Sequence, residues 1–243
     1  MEAERITSVQ NAHIKKLCRL HQKKERDEAG QFLIEGEHLI QEALKANIIE
    51  EILYDEDCPF DFENVTPVTE NVMAKLSSNI SAVHCIAVCR KLHLSMQDAH
   101  RILILDDIQD PGNLGTLIRT AVSFRFDGIY CSEKTVDLYN EKVIRSTQGA
   151  LFAIPAVYTE LVPAIKDLQQ KGFSVIGTSL QNAMPMAEVK PSDRMAIVLG
   201  NEGNGVSAEV LQACDRNVRI EMNGFESLNV AVAGGILMYA YRR

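Results

Sequence analysis

A glycine-rich turn directly after an apolar run is the first place where this sequence could do chemistry. The stretch VLGNEGNGVS, residues 198–207, spaces Gly200, Gly203 and Gly205 as GxxGxG. Glycines let backbone amides and carbonyls approach a ligand closely. A dinucleotide site requires GxGxxG and a P-loop requires GxxxxGK[ST], so neither phosphate motif matches. Glu202 would repel a pyrophosphate, so the turn favours a ligand without phosphates, or is an ordinary tight turn.

Two further polar stretches carry candidate residues. In DDIQDPGNLGTLIRTA, residues 106–121, acids end an apolar segment, and the helix that follows carries Asn113 and, away from its apolar stripe, Arg119. In EMNGFESLNVAVAGG, Ser227 and Asn229 lie on either side of the start of the last helix. Serine and asparagine also serve as ordinary helix caps, and an exposed arginine is common on a surface. Together with the glycine turn, however, these polar turns would form a pocket.

The elements around these turns indicate how they are positioned. From Arg101 onward, apolar strand-like segments alternate with helical segments, among them ILILDDI, GIYCS, FSVIGTSL and MAIVLG as strands. This alternation predicts an α/β fold with a mostly parallel sheet covered on both faces. Ligands of such sheets bind beyond the carboxyl ends of the strands, which is where all three polar turns fall.

The first part of the chain also alternates helical and strand-like segments, but it is separated from the rest. The segment RKLHLSMQDAH, residues 90–100, is polar and has no pattern, so we interpret it as a linker. The sequence therefore predicts two domains, residues 1–95 and residues 101–243.

The charge distribution suggests a polyanionic partner for the first domain. The net charge is −8, which taken alone argues against nucleic acid. Residues 13–26, HIKKLCRLHQKKER, nevertheless carry several cations against the single acid Glu25. Such a patch can bind a polyanion locally, although a solvated helix face would have the same composition.

Other sequence features exclude several classes of protein. The six cysteines contain no CxxC pair, which favours buried thiols over disulfides or a metal site. No apolar run approaches the length of a membrane span, and MEAERITSVQ lacks the apolar core of a secretion signal. We therefore expect a cytoplasmic protein without metal or membrane attachment.

Three motifs, in order, resemble the SpoU (TrmH-like) ribose methyltransferases of the SPOUT superfamily. They are NLGTLIRTAVSF, IVLGNEGNGVS and IEMNGFESLNVAVAGGIL, and IRSTQGALFAIP also resembles the family's SxGA segment. Together they cover most of residues 102–241. Two departures stand out: Phe124-Arg125 replaces the common Phe-Gly, and the loop between Gly224 and Ser227 is one residue shorter than in many members.

The resemblance implies a particular fold and assembly. SPOUT domains have a parallel sheet and thread their C-terminal segment through a loop, making a deep trefoil knot. Family members work as homodimers with the cofactor pocket beside the subunit interface. The segment FLIEGEHLIQEAL resembles the small α/β RNA-binding domain, similar to certain ribosomal proteins, that many members carry.

The implied reaction is methyl transfer from S-adenosylmethionine to a ribose 2′-hydroxyl in RNA. For a two-domain member with this N-terminal region, the expected RNA is 23S ribosomal RNA. The residues that match the family's cofactor pocket come from the last three strand ends. They are Thr178, Leu199, Gly200, Glu202, Gly203, Ile220, Met222 and Leu228. The resemblance leaves the role of Glu202 unassigned.

The catalytic residues implied by the resemblance are Arg119, Asn113, Ser227 and Asn229. The family assigns removal of the hydroxyl proton to the arginine. Because arginine stays protonated in proteins, we expect Arg119 instead to bind the target phosphate and stabilise the developing alkoxide. RNA is expected to contact cations of the first domain, namely Lys15, Lys16, Lys23, Lys24 and Arg26.

Three alternatives remain open at this point. The substrate could be transfer RNA rather than ribosomal RNA. The protein could be a non-catalytic RNA-binding factor for ribosome assembly, with a vestigial pocket. A nucleotide-dependent oxidoreductase would share the α/β pattern, although the reversed order of the glycines disfavours it.

Overall fold

The computed structural model describes residues 4–79, 82–223 and 227–243. The chain forms two compact units. The first contains the chain up to His93 together with Tyr139–Phe152, and the second contains Leu94–Leu138 and Ala153–Arg243. The first unit therefore includes a segment, with the sequence RSTQGA in it, that lies far along the chain within the predicted second domain. The predicted difference in the loop between Gly224 and Ser227 lies outside the described residues.

The first unit is a four-stranded sheet with helices around it. In the sheet order β1-β4-β2-β3, β4 is antiparallel to both neighbours, and β2 and β3 are parallel. Its elements are α1 (Ala12–Arg19), α2 (Lys23–Ala29), β1 (Gln31–Glu35), α3 (Glu37–Lys45), β2 (Ile49–Tyr54), β3 (Val65–Pro67), α4 (Glu70–Leu76) and β4 (Cys85–Arg90).

The later segment adds helix α6 (Glu141–Thr147) and a 3-10 turn, Ala150–Phe152, to the first unit. The rings of Tyr139 and Phe152 lie 4.7 and 6.1 Å from the ring of Phe32. Gly149 has a φ of +89°, and a Cβ atom there would lie 2.6 Å from Glu42 Cβ. Only glycine fits this close approach, which fixes the segment in the core of the first unit.

The second unit is a seven-stranded sheet in the order β7-β6-β5-β10-β8-β11-β9, and every recorded pairing is parallel. The predicted parallel α/β sheet is therefore confirmed. Its elements are β5 (Arg101–Asp106), α5 (Pro111–Ser123), β6 (Gly128–Cys131), β7 (Ala156–Tyr158), α7 (Leu161–Gln170), β8 (Ser174–Thr178), β9 (Met184–Pro185), β10 (Met195–Gly200), α8 (Ala208–Ala213), β11 (Arg216–Arg219) and α9 (Val230–Ala240).

The two central strands, β5 and β10, decide where the polar loops lie. Both are buried along their whole length, as continuous apolar strands of parallel sheets usually are. They pair in register up to Asp106 opposite Gly200. The loops that follow these strands therefore start side by side at one edge of the sheet.

Helix α9, the last element of the chain, packs one face on α5 and β10. A Cβ atom at Gly234 would lie 2.4 Å from Leu117 Cδ2 and 2.7 Å from Leu199 Cδ1, so the absence of a side chain permits this close packing. The opposite face of α9 is exposed. No helix within the described part of the chain is long and apolar enough to cross a membrane.

Candidate active site

A cavity of about 560 Å³ lies at the carboxyl edge of the parallel sheet. Its walls come from the segments after β8, β10 and β11 and from the start of α9. The structure brings all of the predicted cofactor residues, together with Ser227, to this one cavity: Thr178, Leu199, Gly200, Glu202, Gly203, Ile220, Met222 and Leu228. Sequence segments that are far apart in the chain thus form a single pocket.

The glycine turn after β10 is closed by its own backbone. Asn201 and Gly205 exchange backbone hydrogen bonds of 3.0 and 2.9 Å. A Cβ atom at Gly200 would lie 2.1 Å from the backbone of Gly205 and Val206, far inside van der Waals contact. Gly205 itself adopts a φ of +71°, which favours glycine. The close approach that the glycines allow is therefore, first of all, an approach of the turn to itself.

Glu202 extends from this turn to the start of α5. Its Oε1 accepts hydrogen bonds from Asp110 N (3.0 Å) and Asn113 Nδ2 (3.1 Å), and its Oε2 accepts one from Gln109 N (3.2 Å). Burial raises the pKa of the Glu202 carboxyl, but these hydrogen bonds outweigh burial and hold that pKa below its usual value. Glu202 is therefore an ionised acceptor that joins the loops after β10 and β5.

Asn113 and Asn229 continue this connection to α9. A carboxylate only accepts, so Glu202 fixes the amide of Asn113 with its Nδ2 toward the carboxylate. Asn113 Oδ1 then accepts from Asn229 Nδ2 at 3.0 Å. Asn229 Oδ1 accepts from Ala231 N (2.9 Å) and Val232 N (3.3 Å), which caps α9. The chain Glu202–Asn113–Asn229 thus ties the three motif loops together.

Arg119 lies on α5, nearly two turns beyond Asn113, and its side chain is exposed. Within the described ranges, its guanidinium makes no hydrogen bond or ion pair with any other residue. The structure therefore shows no hydrogen bond between Arg119 and Ser227 or Asn229, the other two residues that the resemblance implies beside Asn113. Asn229 instead bonds to Asn113 and caps α9. Since no described residue binds the guanidinium of Arg119, it can bind an anion.

Comparison with known proteins decides the family. The family model described as SpoU rRNA Methylase matches residues 100–239, more than half of the chain. The chain belongs to the SpoU family. A second model, described as an MRM3-like substrate binding domain, matches residues 11–87. The resemblance seen in the three motifs is thereby confirmed.

Individual relatives of this SpoU protein cover its whole length. It is 39% identical to the 23S rRNA (guanosine(2553)-2′-O)-methyltransferase RlmP of Bacillus subtilis, over 98% of this chain and 99% of that protein. It is 32% identical to an uncharacterized tRNA/rRNA methyltransferase of Synechocystis, over 98% and 93%. The crystal structure of an AdoMet-bound rRNA methyltransferase from Sinorhizobium meliloti matches with a TM-score of 0.89 and 27% identity, over 99% and 98%.

The SpoU protein's predicted RNA-contact residues lie in the first unit, on α1 and α2. Lys15 and Lys16 are exposed, and so are Lys23 and Lys24. Arg26 is different: its side chain is buried, and Nη1 donates to the backbone carbonyls of Leu20 and His21 at 2.8 Å each. The prediction that Arg26 contacts RNA is therefore wrong, because its guanidinium stabilises the turn between α1 and α2.

Asn201 was not predicted as a site residue. Its Oδ1 accepts from Gly203 N and Asn204 N at 3.0 Å each, and its Nδ2 donates to Asp107 O at 2.9 Å. It therefore shapes the glycine turn and ties it to the end of β5. Its place between two glycines inside the motif was the only signal, and that signal does not say which backbone groups it binds.

Among residues 4–79, 82–223 and 227–243, no group of three or more His, Cys, Asp or Glu side chains is placed to hold a metal ion. Cys85, Cys89 and Cys131 are buried free thiols. Burial raises the pKa of Cys131 to about 12, so this thiol stays protonated at neutral pH.

Proposed function

We propose that this SpoU protein transfers a methyl group from S-adenosylmethionine to a ribose 2′-hydroxyl of 23S ribosomal RNA, in the cytoplasm. The observation that carries the proposal is the hydrogen-bonded chain Glu202–Asn113–Asn229, which holds three motif loops around one cavity. The name of the Bacillus subtilis relative and the AdoMet-bound neighbour support the reaction and the methyl donor.

The cavity fits S-adenosylmethionine in size and chemistry. Its volume of about 560 Å³ lies within the usual range for small-molecule sites. The donor has no phosphate, so Glu202 in the wall does not oppose it. Leu199, Ile220 and Leu228 would hold the adenine among apolar groups, and Thr178, Gly200, Glu202, Gly203 and Met222 complete the wall. When bound, S-adenosylmethionine supplies a methyl group on a positively charged sulfur.

Polar residues near the cavity would orient the attacking hydroxyl and stabilise its developing charge. A ribose hydroxyl is a poor nucleophile, and it gains negative charge as it attacks. The free guanidinium of Arg119 would bind the target phosphate and stabilise that charge as a permanent cation. Ser227, in the cavity wall, would orient the hydroxyl, while Asn113 and Asn229 hold the loops in place.

Arg119→Ala tests this assignment. We expect methyl transfer to fall at least about 100-fold, the size of effect seen when one charge-stabilising donor is removed. S-adenosylmethionine affinity by calorimetry should stay within about twofold, since Arg119 does not line the cavity. Arg216→Ala, at an exposed position at the start of β11, is the matched control and should retain full activity. Near-normal turnover in Arg119→Ala would remove this residue from the mechanism.

The substrate is identified by mapping 2′-O-methyl positions in total RNA from cells with and without the protein. We expect one ribose of 23S rRNA to lose its methyl group. A lost methyl group in transfer RNA would establish the alternative substrate. If no position changes and calorimetry detects no S-adenosylmethionine binding, the protein is a non-catalytic RNA-binding factor and the proposed reaction is wrong.

The trefoil knot belongs to the same proposal. Tyr241, just after α9, donates from its Oη to Met186 O at 2.8 Å. Arg101 donates from Nε to Tyr241 O at 2.7 Å and from Nη1 to Asp193 O at 2.6 Å. These contacts hold the end of α9 against the loop that precedes β10. They support a C-terminal segment threaded through that loop, as SPOUT proteins have it.

A homodimer is proposed from the uncovered face of α9. Val232 and Tyr239 are 52% and 57% exposed, and Ile236 and Leu228 are each 38% exposed. The helical spacing of 232, 236 and 239 places these side chains on one face. Solvated helices seldom present such an apolar stripe, so we propose that a second copy covers it, next to the cavity that Leu228 also lines.

The first unit is proposed to hold the RNA substrate. Its match to a substrate-binding domain model and the exposed Lys15, Lys16, Lys23 and Lys24 support this role. We propose that its fold resembles the ribosomal proteins that share this type of small α/β domain.

A further inference from the structure

The cations of residues 13–26 fall into two groups that differ in how their charge is neutralised. On α2, Lys23 Nζ lies 2.6 Å from Asp27 Oδ2, and Lys24 Nζ lies 3.7 Å from Glu28 Oε1. Lys91 Nζ also forms an ion pair with Asp27, at 2.5 Å from its Oδ1. The hydrogen bonds from Lys23 and Lys91 hold the pKa of Asp27 below its usual value. Helix α2 is therefore close to electrically neutral at its surface.

Helix α1 carries the opposite arrangement. Lys15, Lys16 and Arg19 are exposed, and within the described part of the chain none of them has a hydrogen-bond or ion-pair partner for its charged group. The helix has no acid of its own. Lys15 and Arg19 are four residues apart, so they share one helix face. This helix therefore presents uncompensated positive charge.

Two other elements of the first unit bring further free cations to the end of α1. Cys18 Sγ donates to Lys75 O at 3.7 Å, which places the end of α4 against the last turn of α1. His21 Nε2 donates to Leu76 O at 3.0 Å, and His21 Nδ1 lies 3.5 Å from Glu141 Oε2 at the start of α6. Lys75 and Lys142 are exposed, and no described residue neutralises either ammonium group.

We propose that RNA binds the first unit on a basic face made of Lys15, Lys16, Arg19, Lys75 and Lys142, and not on α2. Free cations contribute affinity by releasing counterions from the phosphate backbone, whereas lysines already paired with carboxylates must first give up those partners. Lys142 belongs to the later chain segment, Tyr139–Phe152, so the RNA surface is assembled from two separate parts of the chain. This inference rests on the proposed RNA substrate.

The experiment compares two matched pairs of substitutions, each of which removes two cations. The probe is an unmodified transcript of 23S rRNA, titrated at several salt concentrations. For Lys15→Gln/Arg19→Gln we expect binding about 10-fold weaker, and a slope of log affinity against log salt smaller by about 1.5, since each lost phosphate contact removes roughly 0.7–0.9. For Lys23→Gln/Lys24→Gln we expect affinity within about twofold and an unchanged slope. Lys75→Gln/Lys142→Gln should behave like the α1 pair.

Two controls keep the result interpretable. Lys15→Arg/Arg19→Lys retains both charges and should restore the native salt slope, whereas damage to the fold would not be restored. S-adenosylmethionine affinity should be unchanged in every variant. The proposal is overturned if the α2 pair weakens binding as much as the α1 pair, or if the α1 pair leaves the slope unchanged. If RNA binding depends on α1 but the native chain transfers no methyl group, the proposed reaction is wrong and the proposed basic face is still supported.

Discussion

At the scale of single residues, Glu202 connects two loops at the proposed site through its hydrogen bonds. Its carboxylate accepts three hydrogen bonds from the β5–α5 loop and from Asn113. From the residues of the turn alone, Glu202 is expected only to repel a ligand that carries phosphate groups. The structure shows what it binds: the backbone of the loop after β5 and the amide of Asn113, at the rim of the proposed methyl-donor cavity.

Glu202→Gln should weaken this connection. Glutamine keeps one acceptor oxygen and places an NH2 group against N–H donors, so at least one hydrogen bond is lost. Because the carboxylate is exposed to solvent, we expect a loss of about 1 kcal/mol in the free energy of unfolding. Urea denaturation measures it. Glu209→Gln, at an exposed position on α8, is the matched control and should change stability by less than about 0.5 kcal/mol.

The same contribution should depend on pH. The folded-state pKa of Glu202 is lowered from the ordinary value of 4.5, so its stabilisation is complete above that value and is lost as the pH falls through the folded-state pKa. The stability difference between the native chain and Glu202→Gln should be full at about pH 7 and should shrink below about pH 4. A constant difference across this range would contradict a stabilising role for the ionised form.

At the scale of elements, the turn after β10 depends on a close backbone approach and on one side chain, that of Asn201. Gly200 is the last residue of a fully buried strand, and the chain returns to lie directly against it at Gly205 and Val206. Asn201 then satisfies two of the turn's amides with its own side chain. The end of β10 and the turn after it thereby form one continuous part of the cavity wall.

Gly200→Ala should disrupt this wall. A Cβ atom 2.1 Å from backbone atoms cannot be accommodated unless the turn opens, so we expect destabilisation of at least about 2 kcal/mol and loss of S-adenosylmethionine binding. Gly203→Ala is the control within the same turn: its Cβ would meet only Asn201 Oδ1, at 3.6 Å, and its thermal unfolding temperature should stay near that of the native chain. Equal unfolding temperatures for both variants would show that the turn is more flexible than its geometry indicates.

At the scale of the whole molecule, two features of assembly matter. The first unit takes a segment from the middle of the second, so neither unit is a single continuous stretch of chain. The last helix, α9, has one face packed on α5 and β10 and an opposite apolar face that is largely exposed, on which the ring of Tyr239 contacts Phe124 and Arg242. The proposed dimer would cover that face and would place the cavity next to a second copy.

Ile236→Asp should convert the proposed dimer to a monomer. Ile236 is 38% exposed, so a charge there costs little in a single chain but is strongly unfavourable in an apolar interface. Light scattering after gel filtration should show the mass halved, with an unchanged circular dichroism spectrum. Leu94→Asp, at a similarly exposed leucine outside α9, should remain dimeric. A native chain that is already monomeric would refute the dimer.

The sequence by itself determined the family and the parallel sheet and, through the family resemblance, Ser227 and eight further residues that line the cavity. These follow from local information: apolar runs long enough for buried strands, helical spacing, and three motifs whose order and residue types are specific. The same information placed Asn113, Ser227 and Asn229 at strand ends, where a parallel sheet gathers its loops. The glycine motif also pointed to Gly200, but as a place of close approach to a ligand, whereas the structure places the backbone of Gly205 and Val206 there.

Only the tertiary structure decided which charges are free and which are used. Arg26 belongs to the same cationic run as Lys15, yet its guanidinium is buried against the carbonyls of Leu20 and His21. Lys23 and Lys15 are both lysines of this run, but among the described residues a carboxylate lies close to Lys23 and none lies close to Lys15. The hydrogen bonds of Glu202 likewise depend on contacts between residues far apart in the chain. So does the packing of Tyr139–Phe152 in the first unit. The sequence specifies the number of charged residues and their positions along the chain. Which of them form ion pairs or hydrogen bonds depends on distances between side chains, and these are set only when the chain folds.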